Sequence, residues 1–316
     1  MQVNLAQAIA LLKNGDVVAI PTETVYGLAA DATNEAAIHQ IYAIKQRPAD
    51  NPLIVHIADA NQVANWAAEF PPLAQKLAQA FWPGPFTLVL RAKDSVSNIV
   101  RANQPTVALR VPNHPIALQL LKQSGLALAA PSANKFTNLS PTTAAHVTAG
   151  LGDAIAVLDG GACKVGIEST IVSVEGEDWQ LLRLGMLPEV SIEALAGRPA
   201  LKSNMYSTKA LTKVPGQHLL HYSPKTAVKL FQSREELINF VKTSQKNCAA
   251  LLFGAGECPG CHYVQLPNQA TAAAEALYGA LHELDALQVA QLLVEVPPHT
   301  TEWAAINDRL SRAAHR

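Results

Sequence analysis

Between Ala36 and Ile57 the chain must leave a helix and enter a buried strand within a few residues, and no other stretch constrains the fold as tightly. Ala36, Ile38, Ile41, Tyr42 and Ile44 are apolar at three- and four-residue steps, the period of an amphipathic helix. Pro48 and Pro52 end that pattern, and each pushes the residue before it toward extended backbone. Leu53, Ile54, Val55 and Ile57 then read as a buried strand. Lys45, Arg47, Asn51 and His56 therefore lie along a stiffened crossing from helix to strand. Two fixed cations and an amide, held by prolines, suit a polyanion such as a triphosphate. A solvated helix end, with Lys and Arg offsetting the helix dipole, is the competing reading of the same residues.

Other elements follow from local signals. Asn4 caps a helix to Asn14, with Leu5, Ile9 and Leu12 as its stripe. Val17–Ile20 is a short strand running into Pro21–Leu28, whose two threonines, carboxylate and Tyr-Gly pair resemble a site loop. Helices are expected over Pro71–Ala80 and His114–Gln123, and strands over Thr87–Leu90, Thr106–Val111, Leu126–Ala130, Ala156–Leu158, Ile171–Val174 and Leu181–Leu184. Phe81–Phe86 reads as a rigid aromatic turn made for packing. Arg110, in an otherwise apolar strand, needs an anion or an exit to water. Ser132 and Asn134 follow a strand end and could bond phosphate or sugar. Ser140, before Pro141, reads as a helix N-cap.

Residues 197–224 are rich in Gly, Pro, Ser and Asn and read as a linker. Beyond it, strands over Val228–Phe231, Ala249–Phe253, Tyr263–Leu266 and Gln291–Val296 alternate with helices over Glu235–Val241 and Thr271–Leu287, and Trp303–Ala314 closes the chain as a helix. That alternation implies a mainly parallel sheet covered on both faces. The expected division is 1–196, a linker or lid at 197–224, and 225–316.

A net charge of -1 argues against a broad electrostatic footprint for duplex nucleic acid, so any anion site must be a local cluster. No signal layout and no run of membrane-spanning length is present, which leads us to expect a cytoplasmic protein that does not engage the membrane. Four cysteines make no disulfide framework. Cys258-Pro-Gly-Cys-His262 has the spacing of covalent haem attachment, but a surface turn accounts for it better. Neither a Gly-x-x-x-x-Gly-Lys-Ser/Thr loop, a Gly-x-Gly-x-x-Gly signature nor a Gly-x-Ser-x-Gly elbow occurs. A bound nucleotide would rely on side chains such as Lys45 and Arg47.

Six motifs in one order carry a resemblance: Pro21-Thr-Glu-Thr-Val-Tyr-Gly-Leu, Lys45-Gln-Arg-Pro with Asn51-Pro-Leu, Phe81-Trp-Pro-Gly-Pro, Val107-Ala-Leu-Arg-Val-Pro, Pro131-Ser-Ala-Asn and Glu168-Ser-Thr. Together they resemble the YrdC-like threonylcarbamoyl-AMP synthase family, in its long form with a C-terminal domain. The match is dense over about residues 5–190 and weaker beyond, through the layout and Asn307-Asp-Arg-Leu. The resemblance implies an α/β fold: a YrdC-like twisted open sheet flanked by helices, followed by a smaller Rossmann-like α/β domain. It implies synthesis of L-threonylcarbamoyl-AMP and pyrophosphate from L-threonine, bicarbonate and ATP, for a downstream transferase that modifies ANN-reading tRNA, with a weak tRNA contact as a further partner. Magnesium would be carried with ATP, without a protein metal site.

Carried over by motif, Lys45 and Arg47 are the catalytic cations. Lys45, Arg47, Ser132 and Asn134 would handle the phosphates, with Asn51, Thr106, Ser140, Arg183 and Tyr222 also on the nucleotide side. Thr24, His56, Arg110, Ala130, Ser169 and Thr170 would hold threonine, Arg110 on its carboxylate. Pro215-Gly216 and His221-Tyr-Ser-Pro224 resemble the family's segment that folds over the site, with Leu219 and Leu220 seating it. Two departures are visible. Gln217–Leu220 stand where the family has basic and aromatic residues, and Arg183-Leu-Gly185 replaces Arg-Pro-Gly. Rival readings are an RNA-binding regulator using the same basic cavity, and a carbamoyl-transfer relative of hydrogenase maturation. The near-zero charge and the lack of stacking motifs argue against the first. The lack of paired Cys-x-x-Cys fingers argues against the second.

Overall fold

A computed structural model describes residues 1–201, 214–216, 221–244 and 246–315. The helix-to-strand crossing is present: the helix Glu35–Lys45 ends on Lys45, and strand Ile54–His56 follows. Gln46 takes the left-handed C-cap conformation (φ 52°), and its N–H bonds the Ala43 and Tyr42 carbonyls. Asn4 caps Leu5–Lys13 through a reciprocal pair of bonds with Gln7.

The strands β1 (Gln2–Val3), β2 (Val18–Ile20), β3 (Gly27–Asp31), β4 (Ile54–His56), β5 (Phe86–Arg91), β6 (Thr106–Arg110), β7 (Leu128–Ala129), β8 (Ala156–Leu158), β9 (Thr170–Glu175) and β10 (Asp178–Arg183) form one mixed sheet. Their order is β1-β8-β2-β3-β7-β4-β6-β5-β9-β10. Successive residues of a strand serve opposite faces. Val18 and Ile20 join one core with Leu12 and Leu120, whereas Ala19 between them joins the other with Ile38 and Ile41. Helices Leu5–Lys13 and Pro115–Ser124 cover the first face, and Glu35–Lys45 and Pro72–Phe81 the second. β4 and β6 are parallel neighbours, so His56 and Arg110 are register partners at the same end of the sheet.

Strands β11 (Val228–Phe231), β12 (Cys248–Phe253), β13 (His262–Leu266) and β14 (Gln291–Glu295) form a second sheet in the order β11-β14-β12-β13. All three pairings are parallel, as the alternating pattern implied. Cys258 and Cys261 lie in the turn between β12 and β13, their sulfurs 3.5 Å apart. The helix Ala270–Ala286 packs this unit onto the first: its Ala274, Leu277 and Tyr278 share a core with Val25, Leu139, Ile167 and Tyr222. Gly166, at φ 80°, makes that approach possible, because a Cβ there would stand 2.2 Å from the Ala274 carbonyl oxygen.

Two local expectations change, and one helix is added. The site loop after β2 is shorter than the sequence reading, because β3 begins at Gly27 and pairs antiparallel with β2. Helix Glu189–Ala196 lies in a stretch that carried no expectation. Ser140 is not a helix cap: the helix is Ala144–Leu151, and Thr143 caps it by accepting the His146 N–H. Ser140 instead donates to Glu168 across the site.

Candidate functional site

Five cations are buried in the described structure, Lys45, Arg47, Arg110, Arg183 and Arg309, against two buried carboxylates, Glu23 and Glu168. Burying a cation is costly unless partners replace its water. Lys45 Nζ donates to the Ser132 and Asn134 carbonyls at 2.5 and 2.6 Å. Burial, then the nearby Arg47, hold its amine well below the usual lysine value. Arg47 donates to the Pro52 carbonyl at 3.0 Å and sits over the Phe136 ring; burial pulls its guanidinium down to about 10. Arg183 donates to the Ser169 and Pro215 carbonyls and to the Ser169 hydroxyl. Backbone oxygens thus orient these three groups.

Arg110 is oriented differently. Its Nε donates to the Gly84 carbonyl at 3.2 Å and one terminal nitrogen to the Thr24 hydroxyl at 2.9 Å. The aromatic turn therefore does more than pack, since it supplies Gly84 to Arg110. The other terminal nitrogen stands 2.7 Å from Glu23, close enough for an ion pair but off the line of a hydrogen bond. Beside it, burial and then Arg110 depress His56 to about 3, so its imidazole stays neutral at ordinary pH.

Arg47, His56, Arg110 and Arg183 border a cavity of about 50 Å³. Thr24, Arg47, His56, Arg110, Ala130, Ser132, Arg183 and Tyr222 line it, as do Thr22, Glu168, Gly216 and His221. Among the described residues, several buried polar atoms lack a hydrogen-bond partner: Arg47 Nε, His56 Nδ1, Asn134 Oδ1, His221 Nδ1 and the Tyr222 hydroxyl. Such atoms are rare in folded proteins unless something else satisfies them. Tyr222 has left-handed backbone (φ 59°), and its hydroxyl lies over Gly216, where a Cβ would come within 2.3 Å of it.

The remaining expected residues do not line the cavity. Lys45 lies behind it, tied to the Ser132 and Asn134 carbonyls. Asn134 donates to the Lys135 and Asn138 carbonyls, and Asn51 to Asp50. The Ser169 hydroxyl meets Thr87 and receives Arg183, and the Thr170 hydroxyl donates to the Leu187 carbonyl. Thr106 begins β6, about 13 Å of strand from Arg110 at its other end. The expectations for Gln217–Leu220, and residues 202–213 of the expected linker, fall outside the described residues. Sequence reasoning gave Thr22 and Glu23 only a place in the site loop, and Glu168 and Arg309 no role, although Glu168 sits inside a quoted motif and Arg309 in Asn307-Asp-Arg-Leu.

A family model described as telomere recombination, for Sua5, YciO and YrdC proteins, matches residues 10–185, and one described as threonylcarbamoyl-AMP synthase, C-terminal domain, matches residues 186–315. A threonylcarbamoyl-AMP synthase of Bacillus subtilis is 39% identical over 98% of this chain and 92% of its own length. One from Pyrococcus abyssi is 37% identical over 97% of this chain and 93% of its own. The crystal structure of P. abyssi Sua5 complexed with L-threonine superposes with a TM-score of 0.90 at 35% identity, covering 99% of this chain and 97% of that one.

Proposed function

The chain belongs to the threonylcarbamoyl-AMP synthase family, and on that premise we infer that it converts L-threonine, bicarbonate and ATP into L-threonylcarbamoyl-AMP and pyrophosphate. The observation that carries the site assignment is the surplus of buried cations among the described residues, five against two carboxylates, with Arg47, Arg110 and Arg183 lining one cavity. Lys45, Arg47 and Arg183, held by carbonyl oxygens, suit the polyphosphate.

Threonine's amine adds to bicarbonate with loss of water, or to CO2 with loss of a proton, to give a carbamate, whose oxygen attacks the α-phosphate of ATP as pyrophosphate leaves. No covalent enzyme intermediate is needed. The work is positioning, and positive charge where negative charge builds. Arg110, aimed by Thr24 and Gly84, would take threonine's carboxylate, and neutral His56 would offer its unpaired Nδ1. Magnesium would arrive on the phosphates, because Glu23 faces Arg110 and Glu168 is bonded to Arg309, which leaves neither free as a chelating pair.

Pro215-Gly216 and His221-Tyr222 border the cavity, and we read them as a lid that excludes water from the adenylate. The division into a catalytic unit 1–196, linker 197–224 and C-terminal unit 225–316 is supported by the first sheet ending at Arg183, the helix Glu189–Ala196 after it, and the second sheet opening at Val228. Delivery of the product to a tRNA-modifying transferase in the cytoplasm completes the reading. No helix among the described residues is long and apolar enough to cross a membrane.

Mass spectrometry of products from purified protein with ATP, threonine and bicarbonate tests the proposal. Threonylcarbamoyl-AMP is expected; its absence from a folded preparation would overturn it.

A further inference from the structure

The C-terminal unit reaches the cavity wall through one fully buried hub. Arg309, on the helix Ala304–Ala313, is 1% exposed. Its Nε donates to Glu168 at 2.9 Å, one terminal nitrogen to the Leu184 carbonyl at 2.8 Å and the other to Asp308 at 2.6 Å. Glu168 also accepts the Tyr278 hydroxyl at 3.1 Å and the Ser140 hydroxyl at 2.6 Å. Burial would raise the Glu168 carboxyl, but Arg309, Arg183 and Ser140 outweigh it and hold it below the usual value. With each nitrogen of the Arg309 guanidinium bonded, its central carbon lies over the Tyr222 ring, 4.7 Å from the centroid. Ser223, next in the chain, donates to the Ala313 carbonyl at 2.9 Å, so the same helix grips the same segment twice.

Tyr222 needs such support. A non-glycine residue with left-handed backbone persists where its surroundings over-determine it. The His221 ring, 4.1 Å away, belongs to the same segment and cannot anchor it to the body of the protein. The Arg309 face and the Ser223 bond can.

We propose that Arg309 is a positioning residue of the synthase: it holds the Tyr222 ring so that the unpaired phenol points into the cavity, and so makes the C-terminal unit part of the nucleotide site. This rests on the reading that ATP occupies the cavity. It gives the C-terminal unit a role in the reaction without a contact to substrate, and it predicts an effect confined to the nucleotide.

The test is a double-mutant cycle on the full-length protein, read as ATP affinity and, separately, L-threonine affinity by calorimetry. Arg309→Met should weaken ATP binding on the order of tenfold when Tyr222 is present, and by less than about twofold in a Tyr222→Leu background. Threonine affinity should hold in both. Arg309→Lys keeps the charge beside Glu168 but loses the flat face, and the same cycle run with it serves if the Met variant does not fold. Equal losses of ATP affinity in the two backgrounds, or parallel losses for ATP and threonine, would overturn the proposal. A wild-type protein that binds ATP with this coupling but makes no threonylcarbamoyl-AMP overturns the functional reading alone. One that does not bind ATP overturns both.

Discussion

Replacing Gly216 by alanine adds one methyl group at the closest point of the linker. The backbone there has φ 91°, outside the range an alanine adopts comfortably, which costs about 1–2 kcal/mol. The new Cβ would stand 2.3 Å from the Tyr222 hydroxyl oxygen and 3.2 Å from Arg183 Cδ, so the phenol must move by about an ångström to regain ordinary contact. Overpacking of that kind costs about 1–3 kcal/mol. Together the closed arrangement loses about 2–5 kcal/mol, which is about 30-fold to a few thousand-fold in its equilibrium. The lower end applies if Tyr222 slides aside, the upper if the Arg309 face holds it. Calorimetry should then record ATP affinity falling by at least about 30-fold, with pyrophosphate release falling alongside. Thermal unfolding serves as the control, since neither sheet contains the altered residue. A Gly216→Ala protein that binds and turns over ATP like the wild type would refute the reading that Tyr222, packed against Gly216, is part of a lid over the nucleotide.

Lys45→Met should lower pyrophosphate release by about 100-fold or more while circular dichroism stays unchanged, because it removes a buried cation aimed from a helix end; near-normal release from the folded variant would remove Lys45 from the catalytic set. Arg110→Ala should raise the threonine KM far more than the ATP KM, and equal increases would place Arg110 outside the threonine site. The stacked pair His146 and His282, ring centroids 4.0 Å apart, sets a pH dependence. Burial, then the neighbouring ring, lower His146 from 6.5 to about 4, and burial lowers His282 as well. The folded state thus binds fewer protons than the unfolded one between about 6.5 and 4, and stability must fall as the pH drops through that window. His146→Phe keeps a stacking ring without the titration, so its melting temperature should fall less between pH 7 and pH 5; an unchanged slope would exonerate the pair.

Much of this protein is local chemistry and is legible in one dimension. Asn4 and Gln7 cap a helix because they are three residues apart. Pro48 and Pro52 force the crossing after Lys45 because a proline restricts its own backbone and that of the residue before it. The parallel sheet of the C-terminal unit follows from alternating periods. Motif residues such as Thr24, Arg47, His56, Arg110 and Ser132 could be gathered as a set, and the sheet brings them to one cavity. What tertiary structure decided is which partner each polar group chose. Ser140 had a helix to cap and a carboxylate to meet; the chain offered the carboxylate, and Thr143 took the cap. Glu23, in the loop between β2 and β3, meets Arg110 at the end of β6, although three other strands lie between β2 and β6 in the sheet. Arg309 reaches Glu168 across 141 residues of chain. Caps, turns and periodicity are set by neighbours a few bonds away. A buried ion pair depends on how two distant units dock, and no local conformational preference carries that information.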